Sequence, residues 1–573
     1  MKAKDKFNKG ITLVVLVITI IILLILAGIT ISSLTNTGIF GRAKEAKEKT
    51  QQAQRNEQEV LSQYMDELNK QSSDEKFEKT KGVNKPELMQ GMKAIKFTDP
   101  SGDTEGTVQQ VSDSTSTDWY DYNSKKWANA QTEDGSMWVW IPRYAYKVVY
   151  NDSNDKSKGG KFDVVFLIGT TDDYYENGVR KTAKRQTKTD ETVDTTTGYT
   201  VHPAFTNESS IGYANGGWNQ ELTGIWVSKF EAGFASGNNS ATVKESSVKY
   251  TQASAWVGGT ELGSSDNTST ARNFLDGEYG VKSGSDYTFK DGTAPSIKYP
   301  TFQGLTYSMN YINHNDAFNI SKTLTESGNI YGLSSSSTDS HMMKNSEWGA
   351  VAYLSQSKYG LNGANIYINN VNLNNTSKSV YAVTGCAGAT EDASQVATTI
   401  TELNNRTASG VYVWTQKSGT KASTTGTIYG IYDMSGGAWE RTASLVNNGN
   451  GDLTTYGKSL MNSLINGKSS KYVTVYPYDS SVDKTGANID TASAANYAKN
   501  TKIYGDGIRE TSTAGTGKTS WYTDCSYFPA VNSPFSVRGG FYWDTDGAGL
   551  FYFSRSGGFS DYGSGFRSVL VAL

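Results

Sequence analysis

The last stretch of the chain, Ser536 to Leu573 (SVRGGFYWDTDGAGLFYFSRSGGFSDYGSGFRSVLVAL), sets Tyr, Phe, Asp, Ser and Gly into a frame of Gly, Arg and apolar residues. Tyr offers wide, stiff contact area at low entropic cost, and Ser, Gly and Asp offer adaptable polar contacts, so the mixture suits non-covalent recognition. The run Leu550 to Ser556 (LFYFSRS) predicts a strand whose alternate side chains point to opposite faces. Phe551, Phe553 and Arg555 then share one face. Tyr552, Ser554 and Ser556 share the other, which is expected to point outward as a contact surface.

Residues suited to covalent or metal chemistry are few. Cys386 and Cys525 are the two cysteines, and a chain of this size can fold without a disulfide scaffold. His202, His314 and His341 are isolated and lack zinc-ligand spacing. Gly515 to Thr519 (GTGKT) has Ser512 where a phosphate-binding loop needs its first glycine, so it reads as an ordinary loop. The tract Gly263 to Thr270 carries oxygen ligands without the calcium-loop spacing or its closing Glu. No cofactor and no metal are expected; calcium is left open and nothing requires it.

The elements that must hold the tail in place come from a long chain. With 573 residues it can build several domains or one large one. The 54 basic and 57 acidic residues nearly balance, which argues against a nucleic-acid partner. The 58 Gly and 35 Tyr set against 9 Pro point to short strands and abundant loops.

At the other end, residues 11–31 (ITLVVLVITIIILLILAGITI) are uncharged and apolar, long enough as a helix to cross a bilayer. Lys2, Lys4, Lys6 and Lys9 precede them, so the positive-inside rule predicts a cytoplasmic N-terminus and an extracellular remainder. Residues 32–81 turn to Lys, Glu, Gln and Ala, with Val60, Leu61, Tyr64, Met65 and Leu68 at helical spacing, and predict a stalk helix. The expected localisation is a single-pass cell-membrane protein.

Lys9-Gly10-Ile11-Thr12-Leu13 resembles the leader of type IV prepilins. The resemblance implies cleavage after Gly10, with Ile11 as the mature N-terminus, and residues 1–10 as a basic leader. Val15 stands where that family carries a glutamate, which argues against polymerisation by this chain alone. Association with pilus-type machinery follows as an expectation.

Residues 82–573 carry an ordered set of segments: Gly135 to Tyr146 (GSMWVWIPRYAY), Gly224 to Ala232 (GIWVSKFEA), Met342 to Val351 (MMKNSEWGAV), Gly430 to Glu440 (GIYDMSGGAWE), then Arg538-Gly-Gly540 and Gly565-Phe-Arg567. Together they resemble the formylglycine-generating-enzyme version of the C-type lectin fold. Trp138, Trp140, Trp226, Trp348 and Trp439 read as core, and Glu231, Glu347, Glu440 and the arginines as ties between loops and strands. The expected fold class is α+β: an N-terminal transmembrane and stalk helix, then a large lectin-like domain with short strands and long loops.

The enzymes of that family use a cysteine pair close to the terminal Gly-Phe-Arg. Here the approach, Phe551 to Asp561, has no cysteine, so no enzyme activity is expected. Residues 538–567 more closely resemble the variable region of diversity-generating retroelement variable proteins, in which Asn codons are randomised. From Phe535 to Leu573 there is no Asn, Lys, Gln or Glu.

The resemblance implies diversified, ligand-binding positions at Phe541, Tyr542, Asp544, Thr545, Asp546, Tyr552, Ser554, Ser556, Gly557, Phe559, Asp561, Tyr562, Gly563 and Ser564. It places Gly539, Gly540, Leu550, Phe551, Phe553, Arg555, Gly558, Gly565, Phe566 and Arg567 in a fixed frame. Trp543, unreachable from an Asn codon by that route, also falls in the frame. The expected function is membrane-anchored display of a hypervariable, non-catalytic binding face for a protein or glycan on another cell, a phage or a host surface. A minor pilin and a formylglycine-type oxidase are the alternatives.

Overall fold

Residues from Ile39 to Lys76 are mostly Lys, Glu, Gln and Ala, all good helix formers, and they build one α-helix of 38 residues. At 1.5 Å per residue it is about 57 Å long. Val60 and Leu61, expected to begin an apolar stripe, are exposed on it. The computed structural model describes residues 17–21, 39–112, 116, 118–186, 193–207, 217–233, 280–283, 286–289, 300–306, 308–310, 312–373, 381–398, 400–559, 561 and 563–573. Contacts divide the chain into two units, 1–71 and 72–573.

In the second unit, apolar β-branched and aromatic runs pair into an antiparallel sheet of seven strands. Its order is Thr338–Met342, Ser568–Ala572, Gly224–Ser228, Met137–Pro142, Asn129–Gln131, Lys93–Phe97 and Val108–Gln110. Every residue of Met137–Pro142 and Gly224–Ser228 is buried, as a strand covered on both faces must be. Trp226 and Trp140 are paired across these strands, with ring centroids 5.3 Å apart. Trp138 and Trp348 are buried as well, while Trp439 is half-buried.

A second sheet is built around Trp439–Val446, flanked by Thr474–Tyr476 on one side and by Phe535–Arg538 and then Phe553–Ser556 on the other. Ser564–Phe566 pairs in parallel with the first residues of Trp439–Val446. The tail therefore supplies three strands to this sheet and then inserts Ser568–Ala572 between two strands of the first. A third sheet joins Thr200–Val201, Tyr144–Tyr150 and Gly160–Phe166.

The helix Asn345–Ser355 is buried at every position and touches strands of all three sheets. Glu347 anchors its start by accepting the Lys344 backbone N–H at 2.8 Å. The expected α+β class with a transmembrane helix is corrected: the described residues are mixed α/β and mostly sheet. Among the described residues no helix is long and apolar enough to cross a membrane, and the long one that is described is polar. Within 11–31 the described residues are Val17–Ile21, which are helical; Gly10 and Ile11 lie outside the described residues.

Candidate functional site

Three buried arginines hold the loops of the tail. Their planar guanidinium groups can bond several acceptors at fixed angles, which suits them to pinning loop carbonyls. Arg538 donates to Asn345 Oδ1 at 2.6 Å and to the carbonyls of Tyr552, at 3.1 Å, and Asp506. It thus closes the loop 539–552 at both ends. Arg441 donates to the carbonyls of Ile312 at 3.0 Å and Phe559 at 2.5 Å, and to Asp561 Oδ2 at 3.2 Å, holding the loop 557–563. Arg567 pairs with Glu440 through two bonds and donates to the carbonyls of Ser228 and Tyr432, both at 2.8 Å.

The first loop leaves its strand through Gly539 and Gly540, both in the left-handed region. A Cβ at Gly540 would come within 2.6 Å of Ala548 Cβ, so the loop folds back on itself only because this residue has none. Phe541 then lies 4.7 Å from the Trp439 ring and 3.9 Å from the Tyr542 ring, in a cluster with Ala382 and Ala438. Asp544 accepts the Trp439 indole N–H at 2.8 Å and the Phe541 N–H at 3.0 Å. Burial pushes the Asp544 carboxyl up, and these donors together with the Tyr552 hydroxyl oppose that by stabilising its charged form.

Several candidate residues therefore point inward. Tyr552 is only 6% exposed, and its hydroxyl interacts with Asp544 and Ser554. Phe541, Tyr542, Gly557, Gly563 and Ser564 are also buried. Asp561 is a clamp: it takes Arg441, the Gly563 N–H at 2.8 Å and the Ser564 hydroxyl at 2.9 Å. Asp544, Thr545, Ser554 and Ser556 are half-buried, and Asp546 is exposed and paired with Lys518 at 2.7 Å. Tyr562 lies outside the described residues.

The strand expected over Leu550 to Ser556 is shorter, Phe553–Ser556, and its expected outward face is corrected: Tyr552 precedes the strand and is covered, while Ser554, Arg555 and Ser556 are all half-buried. The segment Cys525–Tyr527 runs beside Phe553, exchanging backbone bonds of 2.9 and 2.7 Å with it, and the loop 539–552 bonds the Tyr552 hydroxyl through Asp544. Trp543, read from the sequence as a fixed frame position, is 59% exposed, and Phe559 is 53% exposed. Trp439 and Lys518, which touch the tail from elsewhere, had no signal in the tail itself.

Cys386 and Cys525 are free thiols. Burial, reinforced by Asp544, pushes the Cys525 thiol up to about 11, so it stays protonated at neutral pH and is a poor nucleophile. Among the described residues no group of three or more His, Cys, Asp and Glu side chains is placed to hold a metal ion. The arrangement can offer aromatic surface from Trp543 and Phe559, and hydrogen-bonding groups from Thr545, Asp546, Ser554 and Ser556, on loops fixed from beneath. No protein-family model and no curated protein matches the chain.

Proposed function

We propose that residues 72–573 form a non-catalytic binding module whose tail loops present Trp543, Phe559 and the polar residues beside them to a protein or glycan partner. The observation that supports this reading most is the contrast in exposure. Trp543 and Phe559 stand in solvent on loops held by buried arginines, Arg538 at the far end of the Trp543 loop and Arg441 at the carbonyl of Phe559 itself. Large exposed aromatics cost a free protein solubility and are the residues that dominate binding energy in interfaces. A rigid underside lowers the entropy lost when they bind.

The same arrangement suits sequence diversification at solvent-facing slots, of which Thr545, Asp546, Ser554, Ser556 and Phe559 are the most accommodating. Abundant Ser, Thr, Asn and Gly loops favour an extracellular setting. Deep sequencing of the coding segment for residues 535–573 across a cultured population tests the reading. Substitutions should concentrate at these solvent-facing slots and spare Arg538, Gly539, Gly540 and Arg567. An invariant segment, or changes spread evenly over slots and frame, would overturn it.

A further inference from the structure

The edge strand Thr338–Met342 carries His341, fully buried, between two carboxylates. Its Nε2 lies 2.9 and 3.1 Å from the two oxygens of Glu347, which caps the helix Asn345–Ser355. Its Nδ1 faces Asp339 Oδ1 at 3.6 Å, and neither of these two atoms has another hydrogen-bond partner. The other Asp339 oxygen accepts bonds from Lys471 Nζ at 2.6 Å and the Tyr472 hydroxyl at 2.8 Å. Lys344 Nζ lies 3.6 Å from Glu347 Oε1 and 4.6 Å from the centre of the Trp218 ring, which is in turn 5.0 Å from the imidazole. Lys322 completes the charged surroundings, 4.3 Å from the centre of the Tyr472 ring.

A neutral imidazole has one N–H and one lone pair. With the proton on Nε2, the lone pair of Nδ1 is turned on the Asp339 oxygen; with the proton on Nδ1, the lone pair of Nε2 is turned on Glu347. Only the imidazolium donates to both. Burial opposes its charge, but Glu347 and Asp339 together outweigh burial and hold the ring's proton above its ordinary value. Lys344 and Lys471 draw on the same two carboxylates and so compete with the ring for them.

We propose that His341 is a proton-held latch: as an imidazolium it ties the edge strand to the start of the helix, and loss of its second proton in alkaline solution loosens that edge. The same strand pairs with Ser568–Ala572, with His341 opposite Val569, so the latch bears on the strand that ends the tail. Because the folded protein binds this proton more tightly than the unfolded chain, the latch contributes in full below about 6.5, the ring's ordinary value. Its contribution is lost as pH rises through the folded value above that.

Nitrogen NMR of the full chain, labelled at its three histidines, tests this. Burial lowers His202 and His314 to about 3, so both rings should be neutral at pH 6.5, while the third should be mostly imidazolium and titrate with a midpoint above 6.5. His341→Gln should remove that signal and no other. The stability advantage of the unchanged chain over His341→Gln, read by urea unfolding, should shrink as pH rises from about 6 to about 9; groups common to both proteins, Glu510 included, cancel in the comparison. If His341→Gln does not fold, the titration of the unchanged chain carries the test alone. Three neutral rings at pH 6.5, a midpoint at or below that value, or an advantage that stays constant with pH overturns the latch.

Discussion

Trp439 donates its indole N–H to Asp544 at 2.8 Å, tying the first residue of a central strand to the loop that carries Trp543. Asp544 also accepts the Phe541 N–H within its own loop, so one carboxylate fixes both the loop's shape and its place on the sheet. The consequence is a rigid support immediately beside an exposed indole. Asp544 is thus more valuable to the site as a brace than as a contact.

Tyr552 should behave as core. Tyr552→Ala removes a buried aromatic, for which truncation costs about 3–5 kcal/mol, and Tyr552→Phe should cost about 1 kcal/mol by removing the hydroxyl's bonds to Asp544 and Ser554. Urea unfolding measures both. A Tyr552→Ala protein as stable as the unchanged chain would mean that the side chain is free in solution.

Trp543 and Phe559 should behave in the opposite way. Alanine at either exposed position should shift unfolding free energy by no more than about 0.5 kcal/mol. Binding to a partner isolated with the unchanged chain should weaken by about 2 kcal/mol or more at a true anchor. Tm and affinity measured on the same preparations separate these effects. A fall in Tm matching that of Tyr552→Ala would remove Trp543 from the contact surface.

Gly563 is a tight spot. A Cβ there would lie 3.1 Å from the Trp439 ring and 3.2 Å from the Phe541 ring, while Gly563 O accepts the Trp439 N–H at 2.7 Å. Gly563→Ala should therefore destabilise by about 1–3 kcal/mol through overpacking and should change the Trp439 fluorescence. If the variant is as stable as the unchanged chain, the loop 557–563 yields more readily than its contacts imply.

Glu510 should give stability a pH dependence. Burial, with the nearby Asp506 charge, raises its carboxyl from 4.5 to about 7 in the folded protein. A raised folded value means that its contribution is fully present below the unfolded value and is lost as pH rises through the folded one, between about pH 4.5 and 7. Glu510→Gln cannot ionise, so it should match the unchanged chain near pH 4.5 and be more stable at about pH 8 by on the order of 3 kcal/mol, because each tenfold change in proton affinity is worth about 1.4 kcal/mol. Parallel stability curves for the two proteins across that range would refute the assignment.

Much of the core was legible in the residues. Trp138, Trp140, Trp226 and Trp348 are buried as their size and their apolar neighbours imply. Glu231, Glu347 and Glu440 are buried and bonded: Glu231 joins two loops by accepting the Ala438 N–H at 3.2 Å, Glu347 caps its own helix through the Lys344 N–H, and Glu440, on a strand, takes the Arg567 guanidinium. Such roles are readable because a buried charge must find a partner.

The sequence by itself determined the near-balance of charge, the absence of cysteine from the approach to Gly565-Phe-Arg567, and a tail made of residue types suited to contact. Only the tertiary structure decided where the strand expected over Leu550 to Ser556 begins: it forms at Phe553–Ser556, and Leu550 to Phe553 are all buried, so the expected alternation of faces is not realised along the run. Tyr552 turned inward and Trp543 outward because Cys525–Tyr527 lies along Phe553 and the loop 539–552 closes back onto the sheet. Coverage of this kind comes from segments distant along the chain, and a local pattern of residue types does not encode it.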